Sequence, residues 1–223
     1  MPIFAIETDD GWVVFDTGCD PRVMTDPEAA WGKLASAFHI DMADEDTQLA
    51  RLESIGLTPE KVAHVVVSHL HMDHAGGMQF FPHSRIWLQK AEMRAAAYPE
   101  RVFAAGYVRS DFERPDLQYQ LVEGDSQIVP GVHVILTEGH TPGHQSLVAD
   151  LPSGRFILTG DCAYERRQIE RGVPPPVATD DVAAALSLAR VKGFQQRDGA
   201  TVIVNHDAEA WQSIRIAPEG EYT

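Results

Sequence analysis

Short apolar runs alternate along the chain with segments of helical period. Residues 62–67 form a short, continuous run rich in valine, which predicts a strand buried on both faces. Residues 3–7 and 12–15 flank Asp9-Asp10-Gly11, which is a strong hairpin signal. The other predicted strands are 85–88, 118–122, 132–137, 145–149, 156–159 and 201–204.

Helical patterns occur between these strands. In the segment 180–194, Val182, Leu186 and Ala189 keep helical spacing, and Thr179 or Asp180 is a candidate N-cap. The other predicted helices are 44–55 and 89–98, with an ambiguous one near 29–38. Residues 99–117 are of mixed polarity and predict an irregular insertion. Strands interleaved with helices predict a layered α/β fold.

Composition narrows the class of protein. A length of 223 residues with 44% apolar residues fits a single domain over 1–223 with a sizeable core. The formal charge of −15 argues against a nucleic-acid partner, because phosphates would be repelled. No apolar run approaches the roughly 18 residues of a membrane span, and the first residues do not resemble a signal peptide. Cys19 and Cys162 are far apart, which predicts a reducing, cytoplasmic location.

The central chemical signal is the run His69-Leu70-His71-Met72-Asp73-His74, directly after the buried strand 62–67. In an extended stretch, His69 and His71 face one way together, and a following turn can aim Asp73 and His74 at a second point. This arrangement predicts two adjacent metals rather than one. Imidazole and carboxylate ligands suit zinc, and also iron, manganese or cobalt.

Three later residues each follow an apolar strand and complete the predicted set: His140, Asp161 and His206. Five histidines and two aspartates can serve two metals if one carboxylate bridges. His144 is predicted to orient a ligand or to brace the loop, and Cys162 to pack in the core. The remaining histidines are expected to be ordinary hydrogen-bonded residues: His39, His64, His83 and His133. The chain contains no GxSxG, GxxxxGK[ST] or GxGxxG motif.

These motifs resemble the signature of the metallo-β-lactamase superfamily, over nearly the whole chain. A narrower resemblance is to the N-acyl-homoserine lactonases. It rests on Phe15-Asp16-Thr17-Gly18, Ser68 to His71, Asp73 to Gly77, Glu123-Gly124-Asp125, Gly139 to Leu147 and Asp161-Cys162-Ala163-Tyr164. The resemblance implies an α/β fold of four αββα layers with a dinuclear site at one edge.

The resemblance also implies roles for individual residues. It places His69, His71 and His140 on one divalent metal and Asp73, His74 and His206 on the other, with Asp161 as the bridge. Zinc is the expected metal, with iron, cobalt or manganese as alternatives. Tyr164 stands three residues after the bridging aspartate, as in this family, and is expected to donate a hydrogen bond to substrate. Asp73 is the candidate proton carrier.

The activity implied is hydrolysis of the lactone ring of N-acyl-homoserine lactones, by attack of a hydroxide that bridges the metals. The expected partner is therefore a small lactone. The alternatives are another lactone, a glyoxalase II-like thioester, or a metal-sensing protein without activity. The resemblance has one departure, because the chain starts almost at the strand 3–7, whereas relatives carry some thirty residues before it. Either the start codon is internal or the fold has lost the first edge strand, and a homodimer could cover the exposed edge.

Overall fold

The computed structural model describes residues 1–100 and 104–223. The described chain divides into two compact units, each built on one sheet. The first unit comprises Met1–Trp87 with Ala96–Gln120, and the second comprises Leu88–Ala95 with Leu121–Thr223. Among the described residues, no helix has the length and apolar character that a bilayer crossing requires.

The first sheet has the strand order β1-β2-β3-β4-β5. Its strands are β1 (Phe4–Ile6), β2 (Trp12–Phe15), β3 (Val62–Val66), β4 (Arg85–Gln89) and β5 (Gln118–Val122). β1 and β2 form the antiparallel hairpin, whereas β2, β3 and β4 run parallel. The end of β2 and most of β3 are buried, as their unbroken apolar character predicts. Parallel β2 and β3 therefore deliver the residues that follow them to the same sheet edge.

The second sheet has the strand order β10-β9-β8-β7-β6. Its strands are β6 (Ser126–Val129), β7 (Val132–Leu136), β8 (Gln145–Leu151), β9 (Gly154–Leu158) and β10 (Thr201–Ile203). β6 to β9 form an antiparallel meander, and β10 adds in parallel to β9. Val148 and Ile157 pack in one apolar cluster with Leu188 and Val191 of a long helix.

Eight α-helices occur in the described ranges. They are α1 (Pro27–Trp31), α2 (Gln48–Glu53), α3 (Met72–Ala75), α4 (Lys90–Ala97), α5 (Arg109–Phe112), α6 (Arg166–Arg171), α7 (Asp181–Asp198) and α8 (Ala208–Trp211). The described residues also form short 3-10 helices: Pro21–Met24, Gly32–Ala37, Asp44–Asp46, Pro59–Lys61, Met78–Phe80, Ala104–Gly106 and Gly160–Cys162.

All nine predicted strands are confirmed, and β6 is an addition. β6 has only four residues, of which two are buried, so its sequence carries little period-two signal. The predicted helix 44–55 divides into Asp44–Asp46 and α2, and the ambiguous segment 29–38 into α1 and Gly32–Ala37. The predicted insertion 99–117 contains Ala104–Gly106 and α5, and its residues 101–103 lie outside the described residues.

The apolar residues whose spacing predicts α7 do not form its buried face. Val182 and Leu186 are 72% and 67% exposed, and Ala189 is exposed too. The helix instead buries a different face, which consists of Ala184, Ser187, Leu188 and Val191. The backbone of Gly139 lies close to the first turn of α7, where a Cβ on Gly139 would lie 2.2 Å from Ala184 N, so glycine is required at position 139. Asp180 is the N-cap, as one of the two candidates predicted.

Candidate metal centre

In the first unit, the chain leaves β3 and presents four candidate ligands within six residues. The ring centroids of His69 and His71 are 4.5 Å apart, and those of His69 and His74 are 4.2 Å apart. His71 precedes α3, and the first turn of that helix carries Asp73 and His74. His69 and His74 are fully buried, whereas His71 and Asp73 are half-buried. The extended stretch followed by a turn thus forms as the sequence predicts.

A buried carboxylate to which the sequence assigned no role lies beneath this segment. Asp16 follows β2 with φ of 57°, and it is fully buried. Its Oδ1 accepts the Ser68 N–H at 2.6 Å, and its Oδ2 accepts the Ser68 hydroxyl at 2.9 Å and His74 Nδ1–H at 2.8 Å. Burial raises the pKa of Asp16, and the neighbouring His74 opposes that rise. A signal for this role was present in the sequence, because Asp16-Thr17-Gly18 directly follows β2 and the histidines follow the neighbouring parallel strand β3.

These hydrogen bonds fix which imidazole nitrogen can bind a metal. Nδ1 of His74 donates to Asp16, so its lone pair lies on Nε2. The Ser68 hydroxyl donates its single proton to Asp16. It therefore accepts from His69 Nδ1–H at 2.9 Å. Both histidines therefore offer Nε2. A carboxylate behind a ligating imidazole is a common way to fix its tautomer and raise its basicity.

His71 is fixed by a short crossing segment of the same unit. A β-bridge pairs His71 with Tyr107, and their rings lie 4.9 Å apart. A Cβ on Gly106 would lie 2.6 Å from His71 Cδ2, so glycine is required for this close approach. Neither Gly106 nor Tyr107 was identified from the sequence, because both lie in the insertion that showed no clear periodicity.

In the second unit, three candidate ligands gather around one carboxylate. Asp161 Oδ2 lies 3.5 Å from His140 Nε2, and Asp161 Oδ1 lies 3.1 Å from His206 Nε2. The two carboxylate oxygens therefore face two different imidazoles. Asp161 and His140 are buried, and His206 is partly exposed. A carboxylate in this position is suited to bridge two metals.

The loop between β7 and β8 is held from several sides. His140 Nδ1–H donates to the Val177 carbonyl at 2.7 Å, which leaves Nε2 as the ligand atom. The Gly143 N–H donates to the buried carboxylate of Glu92 at 3.1 Å. His144 Nε2 accepts the Asp161 N–H at 2.9 Å, and its Nδ1 lies 3.1 Å from the Thr137 carbonyl. His144 therefore contacts the backbone of the predicted ligand Asp161, and its orienting role stays a prediction.

Tyr164 lies beside the ligands of the second unit. Its ring centroid is 4.6 Å from that of His206 and 6.0 Å from that of His140. Its backbone is fixed, because the Tyr164 N–H donates to Gln168 Oε1 at 2.7 Å and its carbonyl accepts the His206 N–H at 3.1 Å. Cys162 packs in the core, where burial raises the pKa of its thiol to about 12. A neutral, buried thiol is a packing group, as predicted.

The donor set fits a metal. Each of the seven predicted ligands belongs to a group of side chains that could hold a metal ion: His69, His71, Asp73, His74, His140, Asp161 and His206. Within the described residues, the four histidines that were not predicted to be ligands or to orient one belong to no such group: His39, His64, His83 and His133. Nε2 donors with an occupied Nδ1, together with carboxylates, are the ligands that zinc and similar divalent ions take in proteins.

Comparison with known proteins finds matches over nearly the whole chain. A sequence model of the metallo-beta-lactamase superfamily matches residues 2–217. The chain is 32% identical to the N-acyl homoserine lactonase AttM of Azorhizobium caulinodans, over 98% of this chain and 86% of that protein. It is 33% identical to the N-acyl homoserine lactonase of Bacillus cereus, over 97% of this chain and 84% of that protein.

A solved structure is similar throughout. It is the structure of an N-acyl homoserine lactone hydrolase with the product N-hexanoyl-L-homoserine bound at the catalytic metal centre. The TM-score is 0.86 at 31% identity, and the match covers 97% of this chain and 85% of that chain. The prediction of a metallo-β-lactamase fold is thereby confirmed. The chain belongs to the metallo-β-lactamase superfamily and, within it, to the family of the N-acyl homoserine lactonases.

Proposed function

We propose that this protein is a dinuclear metal-dependent hydrolase that opens the lactone ring of N-acyl-homoserine lactones, and so quenches quorum signals. It is a hydrolase of a family whose members act on that ring ester. The observation that carries the proposal is the placement of Asp161, whose two oxygens face His140 and His206 separately. One bridging carboxylate and six further donors match the ligand requirement of two metals.

The proposed ligands divide into two groups. In this proposal, His69, His71 and His140 would hold one metal, and Asp73, His74 and His206 would hold the other, with Asp161 shared. Support comes from the hydrogen bonds that occupy Nδ1 of three of these histidines: His69, His74 and His140. Zinc is the proposed metal, since imidazole nitrogen and carboxylate oxygen suit it, and cobalt, iron or manganese would use the same donors.

The bound metals supply two kinds of chemistry: they lower the pKa of water from near 16 towards about 7, and they polarise the lactone carbonyl. The protein residues then orient the substrate and carry protons. The Tyr164 hydroxyl donates a hydrogen bond to the carbonyl oxygen as negative charge develops on it. The Asp73 carboxylate would take a proton from the attacking water and deliver it to the ring oxygen as the bond between the carbonyl carbon and that oxygen breaks. Asp16 and Ser68 keep the protons of His74 and His69 on Nδ1 throughout.

Hydrolysis of a panel of N-acyl-homoserine lactones by the zinc-loaded protein tests this function. The expected product is the open N-acyl-homoserine, which closes again to the lactone on acidification. A free homoserine lactone and a fatty acid would instead identify an amidase. The absence of turnover for every chain length, with two metals bound per chain, would reject the homoserine-lactone assignment and turn attention to thioesters and other lactones.

Three further expectations rest on the sequence. We propose that residues 1–223 act as one hydrolase domain. A homodimer that covers β1, which is at the end of the first sheet, remains a prediction, and light scattering after gel filtration would test it. The cytoplasmic location also remains a prediction.

A further inference from the structure

A proline-rich connection links α6 to α7, and the proposed function assigns it no role. Pro174-Pro175-Pro176 occupy its middle, and residues 173–180 will be called the brace. The C-cap of helix α6 is Gly172, which adopts the left-handed conformation with φ of 66°. Three consecutive prolines have fixed φ values, so the connection has few conformations to lose on folding.

The brace supplies the partner of His140 Nδ1. The Val177 carbonyl oxygen lies 2.7 Å from that nitrogen. A carbonyl only accepts, so this contact keeps the proton on Nδ1 and the lone pair on Nε2. The side chain of Val177 is half-exposed, whereas the imidazole of His140 is buried. The carbonyl, not the side chain, is therefore the part of Val177 that acts on the ring.

The brace also holds the backbone from which His140 projects. The Gly139 carbonyl accepts the Thr179 N–H at 2.7 Å, the Thr179 hydroxyl at 3.0 Å and the Asp180 N–H at 3.0 Å. Asp180 in turn caps α7 through the N–H groups of Val182 and Ala183, each at 2.9 Å. The backbone of Gly139 is thus fixed to the start of an 18-residue helix.

We propose that the brace is a positioning device for His140, in which Thr179 fixes the backbone and the Val177 carbonyl fixes the tautomer and ring orientation. The proposal rests on the proposed function, because it takes His140 as a ligand. The contacts of the brace reach His140 through the Val177 carbonyl and the Gly139 backbone. Their effect is confined to the one metal that His140 holds.

Two pairs of variants test the brace. Pro176→Gly loosens the backbone next to Val177, and Pro152→Gly is its matched control, since both prolines are exposed and Pro152 lies in the turn between β8 and β9. Thr179→Val removes the hydroxyl but keeps the shape and the backbone N–H. Thr179→Ser keeps the hydroxyl and is the rescue variant.

Competition with a chromophoric chelator measures the two zinc affinities of each purified variant, and the absorption of the cobalt-loaded protein reports ligand geometry. We expect Pro176→Gly and Thr179→Val to weaken one of the two affinities by about 10- to 100-fold and to alter the cobalt spectrum. Pro152→Gly and Thr179→Ser are expected to match the unaltered protein.

The outcomes distinguish a failure of the brace proposal from a failure of the proposed function. If the unaltered protein binds two metals and Pro176→Gly and Thr179→Val bind them equally well, the brace proposal is overturned and the proposed function stands. Equal weakening of both affinities, or an equal effect in Pro152→Gly, also overturns it, because it would indicate a general loss of stability. An unaltered protein that binds no metal would overturn both proposals.

Discussion

Asp16 Oδ2 lies 2.8 Å from His74 Nδ1, and both side chains are fully buried. The two residues are 58 positions apart in the sequence and meet because the parallel strands β2 and β3 end side by side. The carboxylate keeps the proton of His74 on Nδ1 and its lone pair on Nε2. The ligand role proposed for His74 therefore depends on a residue that binds no metal itself.

Asp16→Asn is expected to weaken metal binding by about 10- to 100-fold with little change of shape. The physical reason is that an amide can donate to Nδ1, which would move the proton to Nε2 and block the ligand atom. Zinc affinity, measured by competition with a chelator, checks this result. Asp10→Asn, in the exposed turn before β2, is the control and should bind normally. An unaltered affinity in Asp16→Asn would show that the hydrogen bond does not select the tautomer.

His140→Ala is expected to lose bound metal and lactonase activity together. Its imidazole is buried and faces Asp161, so truncation removes a donor that no other described contact replaces. Metal per chain by elemental analysis and the rate of lactone hydrolysis should fall in parallel. His83→Ala, at an exposed position, should retain both. Full metal content in His140→Ala would contradict the ligand assignment.

Tyr164→Phe is expected to lower turnover by about 100- to 1000-fold while metal content stays unchanged. The estimate corresponds to about 2.7–4 kcal/mol, the usual loss for one donor to a developing oxyanion. Steady-state kinetics and elemental analysis on the same samples provide the measurement. Tyr98→Phe removes a hydroxyl from a side chain that is 89% exposed and should change neither quantity. Normal turnover in Tyr164→Phe would exclude the hydroxyl from the reaction.

Gly139→Ala is expected to destabilise the protein more than Gly154→Ala. Both glycines have φ near +130°, so both substitutions place alanine in a strained backbone region, at a cost of about 1–3 kcal/mol. Only at Gly139 would the new Cβ also collide with α7, 2.2 Å from Ala184 N, whereas nothing lies within 4 Å at Gly154. Urea unfolding measures the loss in free energy of unfolding for both variants. The difference between the two losses gives the cost of the collision, since the backbone strain is common to both. Equal losses would show that α7 moves away freely.

Asp111→Asn is expected to change the pH dependence of stability. Burial and the nearby Asp20 raise the pKa of Asp111 from 3.8 to about 7, and within the described residues its Oδ2 has no hydrogen-bond partner. The folded state therefore binds this proton more tightly than the unfolded chain. The stabilising contribution is present below pH 3.8 and is lost as pH rises towards 7.

The free energy of unfolding of Asp111→Asn, relative to the parent, should therefore rise between about pH 4 and pH 7 and level off above that range. Denaturant titrations at a series of pH values would measure it. Asp116→Asn is the control, because the hydrogen bond from Arg114 lowers the pKa of Asp116 and no such rise should occur. A flat difference for Asp111→Asn would show that its carboxyl titrates normally in the folded protein.

The sequence predicted the strands and the seven candidate ligands because both follow from local patterns. Residues 62–67 form a buried run, and the His69–His74 motif follows it directly, so strand and ligands were identified together. β6 and the true buried face of α7 were not identified. The four residues of β6 carry too little periodicity. In α7 one Ala, one Leu and one Val lie at helical spacing on each of two faces, so spacing alone does not decide which face packs.

The amino-acid sequence by itself determined the superfamily, nine of the ten strands and the seven candidate ligands, since histidines and aspartates after buried strands form a local signal. Only the tertiary structure decided which atom of each residue is available. Nδ1 of His74 is occupied by Asp16 and Nδ1 of His140 by the Val177 carbonyl, and these partners lie 58 and 37 residues away. Such pairings arise from parallel strands and loop packing, which bring together residues that no local pattern connects.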